Sequence, residues 1–200
     1  MKRIHALLTP ILILSLLAGC AADKTNDTSS AGGTKIQFTD SKITASSSSG
    51  VTIDGTSLLS SKGIVEVRRG SGTYVLSGSC TDGSVKVEKD ADGVTLVLNG
   101  LTLTSETTAP ILCGKGSAVT IEAASGTENT LSDTESNNDE TGSADAENAV
   151  IKCKDGSTVT LCGDGELAVT AKGKNGIKSG ATTDEDGEAS LTIRDLTLNI

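Results

Sequence analysis

Aromatic residues are almost absent from this 200-residue chain: Phe38 and Tyr74 are the only two, and there is no tryptophan. A flat row of exposed rings stacking on the apolar faces of sugars is therefore excluded. Histidine is as scarce, the single residue being His5 near the N-terminus. Ser–His and Cys–His nucleophilic centres are thus out of reach for the body of the chain. Long apolar runs are missing too. The longest, from Ala6 to Leu17, is interrupted by Thr9, Pro10 and Ser15 and is too short to cross a bilayer of about 30 Å as a helix. Basic residues are outnumbered, 17 against 26 acidic ones.

What stands at the N-terminus is an export signal: Lys2 and Arg3, the short apolar run, then small residues before a cysteine. Leu17-Ala18-Gly19-Cys20 resembles the lipobox of bacterial lipoproteins, which implies cleavage before Cys20 and lipid on its sulfur. An ordinary secretory signal with an incidental cysteine is the alternative. The expected location is outside the cell, lipid-anchored to the outer face of the membrane. Removing residues 1–19 takes away Lys2, Arg3 and His5, leaving 15 basic residues against 26 acidic ones and a formal charge of −11. A surface this acidic repels nucleic acid and polyuronates unless a cation mediates.

Residues 20–50 read as the lipidated cysteine, a tether from Ala21 to about Gly33, and short strand pieces. The tether is Asp, Lys, Thr, Asn, Ser, Gly and Ala without an apolar period, so it cannot bury enough surface to fold. Residues 51–200 form the domain. From Gly63 the texture is β-rich triplets between Gly, Asp and Asn turns.

The triplets repeat. Val94-Thr95-Leu96, Val119-Thr120-Ile121, Val159-Thr160-Leu161 and Leu191-Thr192-Ile193 recur at spacings of 25, 40 and 32 residues. A companion precedes each: Val85-Lys86-Val87, Ile111-Leu112-Cys113, Ile151-Lys152-Cys153 and Ile177-Lys178-Ser179. A third follows: Leu101-Thr102-Leu103, Asn129-Thr130-Leu131, Leu167-Ala168-Val169 and Leu196-Thr197-Leu198. This pattern predicts an all-β fold, a right-handed parallel β-helix with three strands per rung and an irregular N-terminal cap. The first and third residue of each triplet then point inward, the middle one outward. An antiparallel sandwich of similar triplets is the competing architecture. No capping segment follows Leu198, so the coil is expected to continue beyond Ile200 in a longer protein.

These residues carry a family resemblance, spread over Gly72-Thr73-Tyr74-Val75-Leu76-Ser77-Gly78, Val94-Thr95-Leu96-Val97-Leu98-Asn99-Gly100 with Thr108-Ala109-Pro110-Ile111, Gly126-Thr127-Glu128-Asn129-Thr130-Leu131-Ser132-Asp133, Glu147-Asn148-Ala149-Val150-Ile151 and Asn175-Gly176-Ile177-Lys178-Ser179. In that order they resemble the carbohydrate-binding domain family of clostridial and related bacteria, from about Val51 to Ile200. The resemblance implies a pectate-lyase-like right-handed β-helix on the cell surface. It also implies binding of plant-type or cell-wall polysaccharide, including acidic polygalacturonate, with calcium on the coil.

Two acidic insertions interrupt the repeat. One, between Leu131 and Ala149, contains Asp133, Glu135, Asp139, Glu140, Asp145 and Glu147. The other runs from Gly180 to Ala189 with Asp184, Glu185, Asp186 and Glu188. Calcium wants six to eight oxygens, and Asp145, Glu147, Asn148 and Asn175 are the candidate ligands, with Lys174 and Lys178 as binding residues. A solvated acidic loop is the competing reading for any one carboxylate. Because the charge opposes a polyuronate, calcium is expected to supply the attraction.

Enzyme chemistry is the rival class: a calcium-dependent lyase needs a base near the sugar C5 proton, and Lys178 is the candidate. A structural or adhesive surface protein is the third reading. Of the cysteines Cys80, Cys113, Cys153 and Cys162, the alternation turns Cys113 and Cys153 inward as stacked free thiols and Cys162 outward.

Overall fold

The computed structural model describes residues 32–53, 63–67 and 70–200. Cys20, the export signal and residues 21–31 lie outside the described residues. Among the described residues every regular element is a β-strand.

Strands β1 (Thr34–Phe38) and β2 (Ile43–Ala45) form an antiparallel hairpin. Strand β3 (Val51–Ile53) pairs antiparallel with β4 (Gly63–Val67). Every later pairing of named strands is parallel. One sheet continues from β4 through β6 (Gly83–Val87), β8 (Ile111–Cys113) and β11 (Ala149–Cys153) to β14 (Asn175–Lys178). The other sheet is built around β7 (Val94–Ser105), which bends at Gly100 in the left-handed region. The first half of β7 pairs with β9 (Ala118–Ala123), which leads to β12 (Thr158–Cys162) and β15 (Ser190–Ile193). Its second half pairs with β10 (Glu128–Asp133), which leads to β13 (Glu166–Thr170) and β16 (Thr197–Asn199). On the other side β5 (Gly72–Cys80) lies along both halves of β7 and carries β1 in parallel on its outer edge. The antiparallel sandwich is thereby excluded.

The repeat read from sequence is the register of these ladders. Val94, Val119, Val159 and Leu191 are opposite one another, as are Val85, Ile111, Ile151 and Ile177. Period-two alternation explains the core: Leu96, Ile121, Leu161, Leu103, Leu131, Ile111 and Ile151 are fully buried. Aliphatic side chains stacked at the strand spacing of about 4.8 Å fill the interior without large rings.

One register differs from the expectation. Leu198, not Leu196, stands opposite Leu167. The shift is two residues, which keeps the same side chains inward and so leaves the alternation unchanged. Along this last layer the aliphatics are the least covered, with Ile193 and Ile200 46% and 73% exposed.

Cys113 and Cys153 are register partners, both buried and both free thiols, as the alternation predicts. A hydrogen bond with Cys153, together with burial, pushes the Cys113 thiol up. Cys162, expected to face solvent, is fully buried opposite Glu122. Pointing away from the interior is therefore not the same as being exposed.

Candidate functional site

The turns that follow the β6–β8–β11 ladder stack on one another. Asp90, Gly116 and Gly156 occupy successive turns with φ of 57°, 64° and 68°, a left-handed conformation that favours glycine or a short polar residue. The amide of Asp90 donates to Lys115 O and that of Gly116 to Asp155 O, so each turn is tied to the next. The second insertion folds back over this stack through a tight Thr183–Gly187 turn. Asp186, its side chain only 7% exposed, reaches Lys115 Nζ at 3.2 Å and Lys89 Nζ at 3.7 Å. The Lys115 ammonium hydrogen-bonded to Asp186 holds its carboxyl below the usual aspartate range. The acidic residues of this insertion are thus part of a strap, and its central carboxylate is already occupied.

The first insertion is organised from its base by two buried polar side chains. Asp133, at an inward position of β10, accepts hydrogen bonds from the amides of Lys172 (2.6 Å) and Gly173 (3.1 Å) and from Asn137 Nδ2 (2.9 Å). Asn137 also donates to Ala149 O, while its Oδ1 accepts from the amides of Glu147 (2.8 Å) and Asn148 (3.1 Å). Both residues are essentially inaccessible to solvent. Together they close the insertion onto the start of β11 and bind it to the segment before β14.

The sequence candidates fall into three groups on this scaffold. Asn148 (φ 62°) and Asn175 come together: the Asn175 side chain donates to Asn148 O at 2.6 Å, and Asn148 Oδ1 accepts from the Asp139 amide. Lys174 is drawn to the insertion, 2.7 Å from Glu140 Oε1 and 3.4 Å from Asp139 Oδ1. Glu147 pairs instead with Lys154 at 2.8 Å, and Asp145 is exposed, its amide bonded to Ser143 Oγ.

Calcium requires six to eight oxygens converging on one point. Of the four candidates, Asn148 and Asn175 touch each other, Glu147 is ion-paired with Lys154, and Asp145 is exposed. The Asn148 oxygens already accept amide protons, and Lys154 neutralises Glu147. Among the described residues no three His, Cys, Asp or Glu side chains gather as a metal site.

Lys178 has a neighbour that sequence reading overlooked. The outward middle positions of the first ladder align as Glu66, Lys86, Leu112, Lys152 and Lys178. Lys86 is paired with Glu66 at 3.2 Å, and Leu112 is apolar and almost fully buried. Lys152 and Lys178 stand side by side at the strand spacing, with no ion pair to either among the described residues. Burial, reinforced by the Lys178 charge, lowers the pKa of Lys152 from the ordinary lysine value. The signal was present in the sequence, since both lysines occupy the middle of equivalent triplets.

Both aromatic residues are interior, Phe38 at 0% and Tyr74 at 4% exposure. No ring among the described residues offers a sugar-stacking face. What the surface offers is stacked turns, outward Thr and Lys side chains, and two ordered insertions.

Comparison with known proteins places this all-β architecture in a family. The chain belongs to the family described as carbohydrate-binding domain-containing protein, whose model matches residues 61–184. It is 34% identical over 145 residues, 72% of this chain and 47% of the relative, to a carbohydrate-binding domain-containing protein of Acetivibrio thermocellus. The chain thus spans about half the length of that curated relative. Among solved structures, a polysaccharide lyase-like protein from C. thermocellum, studied as a gadolinium derivative, superposes with a TM-score of 0.63 at 28% identity. That match covers 83% of this chain and 61% of the other.

Proposed function

We propose that this protein is an exported lipoprotein whose domain, a right-handed parallel β-helix with three strands per rung, binds an acidic, polygalacturonate-type polysaccharide with the help of calcium. Family membership across residues 61–184 is the observation that carries the glycan. Interior aromatic residues leave hydrogen bonding and charge as the means of holding it. In the calcium reading, exposed carboxylates such as Asp145 contribute some oxygens and the carboxylates of the sugar complete the shell.

A pull-down against insoluble polysaccharides tests this reading. Retention on polygalacturonate is expected to fall with a chelator and to return with calcium better than with magnesium. Retention on cellulose that ignores the chelator would sink the calcium bridge, and no retention on any glycan would favour a structural surface protein. The lyase reading has Lys178 as its candidate base, with Lys152 beside it on the adjacent strand. The same incubation decides it: absorbance of an unsaturated product that disappears in Lys178→Ala would make the protein an enzyme.

Anchoring through Cys20 has its own test. Labelling with a palmitate analogue should mark the protein and be lost in Cys20→Ala. Label persisting in that variant would place the anchor elsewhere.

A further inference from the structure

We infer that Lys152 and Lys178 form a carboxylate-recognising subsite, which selects uronate over neutral or esterified sugar by direct contact with the protein. The inference rests on the proposed polysaccharide binding and deepens it. Its basis is an imbalance of charge in an acidic molecule. The lysine before them on the same outward row is neutralised, Lys86 by Glu66. So are the lysines at the ends of the two strands, Lys154 by Glu147 and Lys174 by Asp139 and Glu140.

Lys152 and Lys178, in the middle of the patch, have no ion-pair partner among the described residues, with Glu147 and Asp155 acting on Lys152 only through space. Lys152 and Lys178 are register partners on adjacent parallel strands, which sets their stems about 4.8 Å apart and pointing the same way. Two like charges held so close repel, and one of them is half-buried. An anion between them removes that repulsion and gains two charge-assisted hydrogen bonds. The first insertion borders the pair through Glu147, which is ion-paired with Lys154 at 2.8 Å and acts on Lys152 through space without contacting it. A carboxylate on a glycan chain is an anion that reaches an outward strand face without entering a cavity. The cation pair accounts for how a protein of net charge −9 can approach an acidic polymer: the attraction is local and acts within a Debye length of about 10 Å, beyond which the remaining charges of the protein are largely screened.

The test is binding to polygalacturonate and to its fully methyl-esterified form at one ionic strength, with calcium and again with a chelator. The unmodified protein should prefer the acid in both conditions. Lys152→Gln and Lys178→Gln should each weaken acid binding about tenfold, and the double variant should lose the preference for acid over ester. Lys42→Gln, on the β1–β2 hairpin, should change nothing. Acid binding by the double variant equal to that of the unmodified protein overturns the subsite while leaving the proposed function intact. Equal binding of acid and ester by the unmodified protein overturns the subsite and, with it, the acidic, calcium-bridged part of the proposed function. Failure to bind any glycan overturns both together. Both lysines point outward, so circular dichroism and the urea midpoint should be unchanged in the variants.

Discussion

Asp133→Ala and Asn137→Ala should each destabilise the protein by about 3 kcal/mol, with the double variant little worse than either single one. Asp133 accepts three hydrogen bonds, from Lys172, Gly173 and Asn137, and it is buried. Removing its carboxylate strands the buried Asn137 side-chain amide and two partly buried backbone amides, a fully buried unpaired donor costing about 1–3 kcal/mol. Asn137 spends its whole side chain on Asp133, Ala149, Glu147 and Asn148. Because the two residues share one network, loss of either undoes the other. Urea titration measures the cost, and hydrogen exchange locates it: the amides of Glu147, Asn148, Lys172 and Gly173 should lose protection first. If the double variant is destabilised by the sum of the singles, the network is not cooperative. Binding should fall with the exchange protection, since the same contacts hold the insertion beside Lys152 and Lys174.

The second large effect separates a sequence rule from the structure. Asn129 occupies the first position of a triplet whose equivalents are Leu101 and Leu167, and the hydrophobic pattern alone would favour Asn129→Leu. The fold forbids it. Asn129 Oδ1 accepts from the amides of Gly100 and Leu101, both at 3.0 Å, and its Nδ2 donates to Glu166 O at 3.1 Å and Thr127 Oγ1 at 3.0 Å. One side chain thus joins three successive layers at the bend of β7. Leucine there would strand the buried Leu101 amide and deprive the partly buried Gly100 amide and Glu166 carbonyl of their asparagine partner, so Asn129→Leu is expected to cost about 3 kcal/mol and to be no better tolerated than Asn129→Ala. The urea midpoint, read with an unchanged slope, is the measurement. A leucine variant as stable as the unmodified protein would mean that water replaces the asparagine.

Much of the architecture was legible in the residues. The triplets Val94-Thr95-Leu96 and Ile151-Lys152-Cys153 announce strands because alternation marks an inward and an outward face. Their recurrence announces stacking because each repeat has an apolar face it cannot bury alone. The slip at Thr197-Leu198-Asn199 was not legible, since a displacement of two residues leaves the pattern of faces intact. Cys162 shows the same limit: alternation gives a direction, and burial depends on what else covers that direction.

The site was legible only as a neighbourhood. Sequence placed Asp145, Glu147 and Asn148 just before one strand and Lys174 and Asn175 just before its equivalent, with Lys178 at an outward middle position, and the fold does bring Asn148 to Asn175 and Lys174 to Asp139 and Glu140. It could not say that Glu147 would turn to Lys154, or that Asp145 would stand apart. Hydrogen-bond and ion partners are chosen among groups as far as 71 positions apart, as Asp186 with Lys115 illustrates. Asp133 was within reach: a carboxylate at an inward position needs buried donors, and alternation already pointed it inward.

By itself, then, the sequence determined the strands, the inward aliphatics, the near absence of rings for stacking and the overall negative charge, because these follow from composition and from a period of two. Only the tertiary structure decided where that charge is cancelled and where it is not. A net charge is a sum over the chain, but a ligand meets a few side chains within a Debye length, and which ones stand together is set by strand register. Register made neighbours of Lys152 and Lys178, 26 residues apart in the chain, on the surface of an acidic protein.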